Sequence, residues 1–122
     1  VRKGGPVDIR EAVQPAAMPA VYKAHQWLVY TTSPRLNTVG WPMAVAEAQA
    51  SGVGVCLQSH RRADAELLGG AGFQFTDPSS VSDLISGPVP SDIRERGFAV
   101  AERSDVARHV VQLSRIWSAN SV

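Results

Sequence analysis

The chain has 122 residues, the length of one compact domain, and its 44% hydrophobic content is enough to build a core. Its 12 basic and 11 acidic side chains leave a net charge of +1, too weak a field to steer a nucleic acid or an anionic membrane, so neither is expected as a partner. No apolar run approaches the roughly 18 residues of a spanning helix, the opening "VRKGGPVDIR" lacks the apolar stretch of a signal peptide, and the single cysteine, Cys56, can form no internal disulfide, which points to a reducing, cytosolic setting.

At the start, "VRKGGPV" (1–7) reads as an edge strand weakened by its glycines. Small or apolar side chains at Ala17, Val21 and Ala24 predict a short helix over 16–25. The bulky run "WLVYTT" (27–32) is expected as a strand buried on both faces. A second helix begins at Pro42, whose missing N–H costs nothing in a first turn, and ends at Gly52 as a left-handed cap. "VGVCLQ" (53–58) is a second buried strand, "RADAELLGG" (62–70) a helix stopped by glycines, and "GFQFT" (72–76) a third strand. Asp77 followed by Pro78 is a strong helix start.

The remainder is helical. Residues 90–103 read as one helix with a weak point at Gly97. A last helix starts at Ser104 and sets Val106, Val110, Leu113 and Trp117 on one stripe, away from Arg108 and Arg115. Strands alternating with helices predict a single α/β layer fold: a parallel sheet of about four strands, joined by right-handed crossovers.

In such sheets ligands bind at the carboxyl ends of strands, where loops feed helix N-termini. "TTSPRLNTVGWP" (31–42) is such a loop. Gly40 permits close approach of a ligand, and the N–H groups of Gly40, Trp41 and Met43 could aim at an anion, with Pro42 removing one donor. A plain strand–helix connection is the alternative. Glu47 sits beyond the first turn beside Met43, Ala46 and Ala50, a methyl-rich surface suited to close packing. Its carboxylate is either solvated at the helix edge or held for a ligand, because burial without a partner is costly.

Other reactive side chains suggest less. His25, His60 and His109 share no short ligand spacing, so no metal site is expected, although His60 follows the second strand closely. Cys56 reads as a buried, inert small hydrophobe. Ser33 lacks a histidine partner and a nucleophile-elbow sequence. Trp27 and Trp117 read as packing anchors, and Trp41 as packing under its loop.

The stretch "VGWPMAVAEAQASGVGV" (39–55) resembles the signature of retaining glycosyltransferases of the GT-B fold, the family-four or group 1 type. That pattern is Glu-Gly-Phe-(Gly/Pro), four residues, then Glu-Ala-Met-Ala-x-Gly-x-Pro-Val. The preceding "AAMPAVYKAHQWLVYTTS" is similar to the family's LPxLYxxADVFVxPS unit. The following "RRADAELLGGAGFQFTDPSSVSDLI" is similar to GGxPELVxDxGLLxxPxDxxxLAxAI, and "SDVARHVVQLSRIW" to the closing helix. The resemblance runs from about Val1 to Trp117, in order.

It implies the Rossmann-like, carboxyl-terminal half of a GT-B fold, binding a UDP- or GDP-sugar as donor substrate with no resident cofactor and no metal. Glu47 falls on the family's second glutamate, which accepts hydrogen bonds from the ribose hydroxyls; two vicinal hydroxyls and two carboxylate oxygens make a charge-assisted fork. The Gly40–Trp41 turn, with Met43, falls where backbone N–H groups hold the diphosphate. Val39 replaces the first glutamate, which contacts the donor sugar, leaving Arg35, Asn37 and Thr38 as nearby polar groups. Arg61 and Arg62 stand in place of a glycine pair, with Glu66 on the glutamate that follows. Arg61 is a candidate for the diphosphate, against the plainer reading of a solvated arginine pair.

The chain is expected to be a partial domain, 1–122, lacking the family's acceptor domain and the first strand–helix units with their basic pair. Within a longer parent it would serve sugar transfer to an acceptor in polysaccharide, glycolipid or related glycoconjugate synthesis. Alone it is expected to be inactive, because the reaction needs a cleft between halves that excludes water and aligns substrates. The expected location is cytoplasmic, with the inner face of the membrane open to it through the parent. Val39 and the missing basic pair also fit a degenerate scaffold or pairing domain. A flavodoxin-like module is suggested by the hydroxyl-rich "TTSPRLNT", but Pro34 interrupts that loop; a receiver domain would need acids that "VYTTS" and "CLQSH" lack.

Overall fold

The computed structural model describes residues 7–35 and 42–120. Three parallel strands, β1 (Trp27–Tyr30), β2 (Gly54–Gln58) and β3 (Gly72–Phe75), form a sheet in the order β1-β2-β3. Leu28 stands opposite Val55, and Val55 opposite Gly72. Around the sheet lie α1 (Met18–Lys23), α2 (Met43–Ala50), α3 (Ala63–Leu68), the one-turn α4 (Val81–Leu84), α5 (Ser91–Arg103) and α6 (Val106–Ala119). The architecture is α/β and Rossmann-like. The sheet has three strands among the described residues, where about four were expected. The candidate for the extra strand falls almost wholly on residues outside the description, and Val7, its last residue, is not in a strand.

Among the described strands the middle one has neighbours on both edges, and its Val55, Cys56 and Leu57 have almost no exposure. Strand β1 was expected to be buried on both faces, but Val29 is exposed and its other residues are only part-buried; among the described strands it lies at the edge of the sheet. Trp27 does anchor this edge, stacking on Phe73 with ring centroids 5.5 Å apart and donating from Nε1 to the Gly87 carbonyl at 2.7 Å.

Helix α2 owes its place to its small residues. Val45 and Ala48 enter the core cluster with Val53, Val55, Leu57, Leu67 and Leu68, while α5 packs across it. Pro42 is the residue before the helix rather than its first member, a shift of one position. The far end follows the sequence: Gly52 has φ +75°, its N–H donates to the Gln49 carbonyl at 3.1 Å, and the Val53 N–H donates to the Ala48 carbonyl at 3.0 Å. That pair of bonds is the Schellman motif, which turns the chain directly into β2.

Gly97 does not weaken α5, which runs unbroken from Ser91 to Arg103. The glycine is buried against α2, where an added Cβ would lie 3.6 Å from the Gln49 carbonyl oxygen, in ordinary contact. Asp77 caps as expected, accepting from the Ser79 N–H at 3.0 Å. The cap of α6 is Asp105, not Ser104: its side chain accepts from the Ala107 N–H at 2.9 Å. The stripe of α6 faces outward, with Val106 71% and Trp117 67% exposed, so Trp117 is no core anchor. No helix among the described residues is long and apolar enough to cross a membrane.

Two glycines should respond oppositely to alanine. At Gly97 the methyl fits and the helix gains propensity, so Gly97→Ala should be neutral or stabilising by up to about 1 kcal/mol. At Gly69, φ is +60° and the new Cβ would stand 2.5 Å from Val100 Cγ2, so Gly69→Ala should destabilise by roughly 1 kcal/mol or more. Urea denaturation of both variants checks the contrast. Burial also pushes the Cys56 thiol up to about 11. Alkylation by iodoacetamide at pH about 8 should therefore wait on unfolding, and rapid labelling of native protein would contradict the placement of Cys56.

Candidate functional site

Parallel strands bring their carboxyl ends to one edge, and there the chain leaves β1 at Tyr30 and β2 at Gln58. Side chains tie these two exits together. The Thr32 N–H donates to Gln58 Oε1 at 3.2 Å, and the Thr32 hydroxyl donates to the Gln58 carbonyl at 3.3 Å. His60 Nε2 lies 3.2 Å from the Thr32 carbonyl. A carbonyl can only accept, so Nε2 carries the proton.

The loop after β2 is satisfied from within. Asp64 Oδ2 accepts from the backbone N–H groups of both His60 and Arg61, each at 2.8 Å. A phosphate at these amides would have to displace a carboxylate that already fills their place. Arg61 was a candidate for the diphosphate, with a solvated arginine as the plainer reading; its backbone N–H serves the loop's own turn, and its side chain is exposed.

The other candidates lie on or before α2. Thr38, Val39, Gly40 and Trp41 are outside the described residues, as is Asn37. Met43 opens α2 with its side chain 65% exposed, and Pro42 supplies no side-chain cap to the first turn. Along α2 the exposed residues are Met43, Glu47 and Ala50, while Val45, Ala48 and Gln49 are buried. Glu47 therefore stands on the single outward strip of a helix otherwise committed to packing. This resolves why a small-sided helix carries an acid: the carboxylate sits where packing does not reach.

Among the described residues one side chain meets it, and sequence reasoning missed that side chain. The Tyr22 hydroxyl on α1 donates to Glu47 Oε2 at 3.1 Å. Its ring packs against the core cluster, so an anchored aromatic body holds out a polar tip. Burial, then the hydrogen bond to Glu47 and the negative charge of Glu47, push the Tyr22 phenol above its ordinary value. Among the described residues no ion pair engages Glu47. The signal available in the sequence was a tyrosine on a short helix, but its 25-residue separation from Glu47 carried no hint of contact.

The three histidines each face a backbone carbonyl: His25 that of Val21 at 2.7 Å, His60 that of Thr32, and His109 that of Arg103 at 2.7 Å. Among the described residues, no three His, Cys, Asp or Glu side chains gather as a metal site. Comparison with protein-family models, curated proteins and solved structures gives no match to this chain.

The Tyr22–Glu47 contact has a spectroscopic consequence. In a Tyr30→Phe background only Tyr22 ionises as a phenol. Glu47→Ala should then lower its titration midpoint toward about 10, because a hydrogen-bond acceptor and a like charge are both removed. An ultraviolet titration showing no downward shift would place the two groups apart in solution.

Proposed function

We propose that this chain binds the nucleoside-diphosphate-sugar donor of a retaining glycosyltransferase of the GT-B type. The observation that carries the reading is the state of Glu47: an exposed carboxylate, held by a single neutral donor and spent on no ion pair among the described residues. A carboxylate repels phosphate and accepts from hydroxyls, so its ligand is a polyol part of the donor. The ribose diol fits, since among the described residues only Tyr22 bonds the carboxylate, leaving Oε1 and a lone pair of Oε2 for two O–H donors.

The diphosphate then belongs toward the start of α2, four residues back and about 6 Å along the axis. There the first-turn N–H groups lack a side-chain cap and the helix dipole favours an anion. In this reading the chain supplies donor binding, and the sugar is passed to an acceptor in the synthesis of a glycoconjugate. Phosphate is held by backbone dipoles rather than a metal.

Titration of the labelled chain with UDP, GDP and ADP, followed by amide NMR, tests this. At least one should perturb the amides of α2, and a chelator should leave the binding unchanged. Glu47→Ala should cost roughly 2–3 kcal/mol, or about 30- to 150-fold in affinity, and the 2′-deoxy analogue of the responsive nucleotide should bind more weakly to the parent chain. Stability should hardly change, because Glu47 is exposed and alanine favours the helix. Failure of all three nucleotides to bind, or equal binding by Glu47→Ala, overturns the proposal.

A further inference from the structure

A glutamate on a helix surface usually samples several rotamers, and α2 itself offers Glu47 nothing to hold on to. The positions three and four residues away are Met43, Ala44, Ala50 and Ser51, none of them charged. The restraint comes from another element. Tyr22 reaches across from α1, its ring fixed against the core cluster and its hydroxyl 3.1 Å from Glu47 Oε2. Helix α1 has Pro19 in its first turn, and Pro15 opens the 3₁₀ turn before it, so the segment carrying Tyr22 starts from two residues of fixed φ.

The chemistry of this partner differs from that of an arginine or lysine. A cation would neutralise the carboxylate and, as a guanidinium, could occupy both oxygens. The phenol supplies one neutral donor to one oxygen and leaves the negative charge in place. Among the described residues Oε1 takes no hydrogen bond, and the side chain is oriented without being consumed.

We propose that Tyr22 is the positioning residue of the site: its hydroxyl holds the Glu47 carboxylate in the orientation that receives the ligand's vicinal hydroxyls. The inference rests on the reading of Glu47 as a ligand-binding carboxylate. Tyr22 acts through Glu47 and need not touch the ligand. Tyr22→Phe is the discriminating change, because it removes the hydroxyl and keeps the ring that packs on the core.

The test uses the full chain with Tyr22→Phe, Glu47→Ala and the double variant, each titrated with UDP, GDP and ADP by amide NMR. Tyr22→Phe should weaken binding of the responsive nucleotide by roughly 3- to 10-fold, the range of one neutral hydrogen bond. Its thermal midpoint should stay within a few degrees of the parent. The double variant should bind no more weakly than Glu47→Ala alone. Without ligand, the side-chain couplings of Glu47 should move toward rotamer-averaged values in Tyr22→Phe, which a merely packing role would not produce.

If Glu47→Ala loses affinity but Tyr22→Phe binds as tightly as the parent, the positioning role is overturned and the reading of Glu47 stands. If Tyr22→Phe weakens the Glu47→Ala protein as much as the parent, Tyr22 acts by another route and the inference also fails. If none of the three nucleotides binds the parent, the reading of Glu47 falls and this inference falls with it.

Discussion

The close approach of α2 to both the sheet and α5 is the constraint on which the rest of the structure depends. A helix can lie this near a sheet and a second helix only if its side chains are short where they meet. Ala48 and Val45 supply that against the core, and on α5 the residue facing the Gln49 backbone is Gly97, where a methyl would still make ordinary contact. Gln49 itself is buried at 1% exposure, and its Nε2 donates to the Leu68 carbonyl at 3.1 Å. A polar group so deep would be costly unsatisfied. Here it joins α2 to the end of α3, so the helices after β1 and β2 are fixed relative to each other.

That packing decides which residues of α2 remain for function. Once Val45, Ala48 and Gln49 are committed inward, the strip of Met43, Glu47 and Ala50 is all that faces out fully. Tyr22 meets this strip because α1 packs beside α2. Its ring contributes burial to the core while its hydroxyl reaches the carboxylate, so one residue serves both stability and orientation. The exits of β1 and β2 are organised separately, by Thr32, Gln58, His60 and Asp64 bonding among themselves. The backbone of the loop after β2 is thereby a finished turn.

Helix α6 belongs to a different regime. Its apolar residues recur on one side as the sequence pattern demands, but Val106, Val110, Leu113, Ile116 and Trp117 are all exposed. Its start and stop are local: Asp105 caps it through the Ala107 N–H, and at the far end the Asn120 N–H donates to the Ile116 carbonyl at 3.2 Å. Local bonds therefore define the helix, whereas packing defines α2.

The sequence by itself determined the elements and most of their ends, because these rest on interactions between residues close along the chain. Gly52 after α2, Asp77 before Pro78 and the bulky runs of β1, β2 and β3 were all legible, and so was the α/β class. It also singled out Glu47, as an acid among methyls. Only the tertiary structure decided that Val29 of β1 is exposed, that Gly97 lies buried against α2 rather than at a break in α5, and that Asp64 closes the loop carrying Arg61. It alone brought Tyr22 to Glu47 and left the stripe of α6 largely exposed. The reason is physical: periodicity and capping are set by neighbours within a few residues, whereas which faces meet depends on how distant segments share a limited buried volume. A hydrogen bond between helices α1 and α2 is a product of that sharing, and no spacing along the chain encodes it.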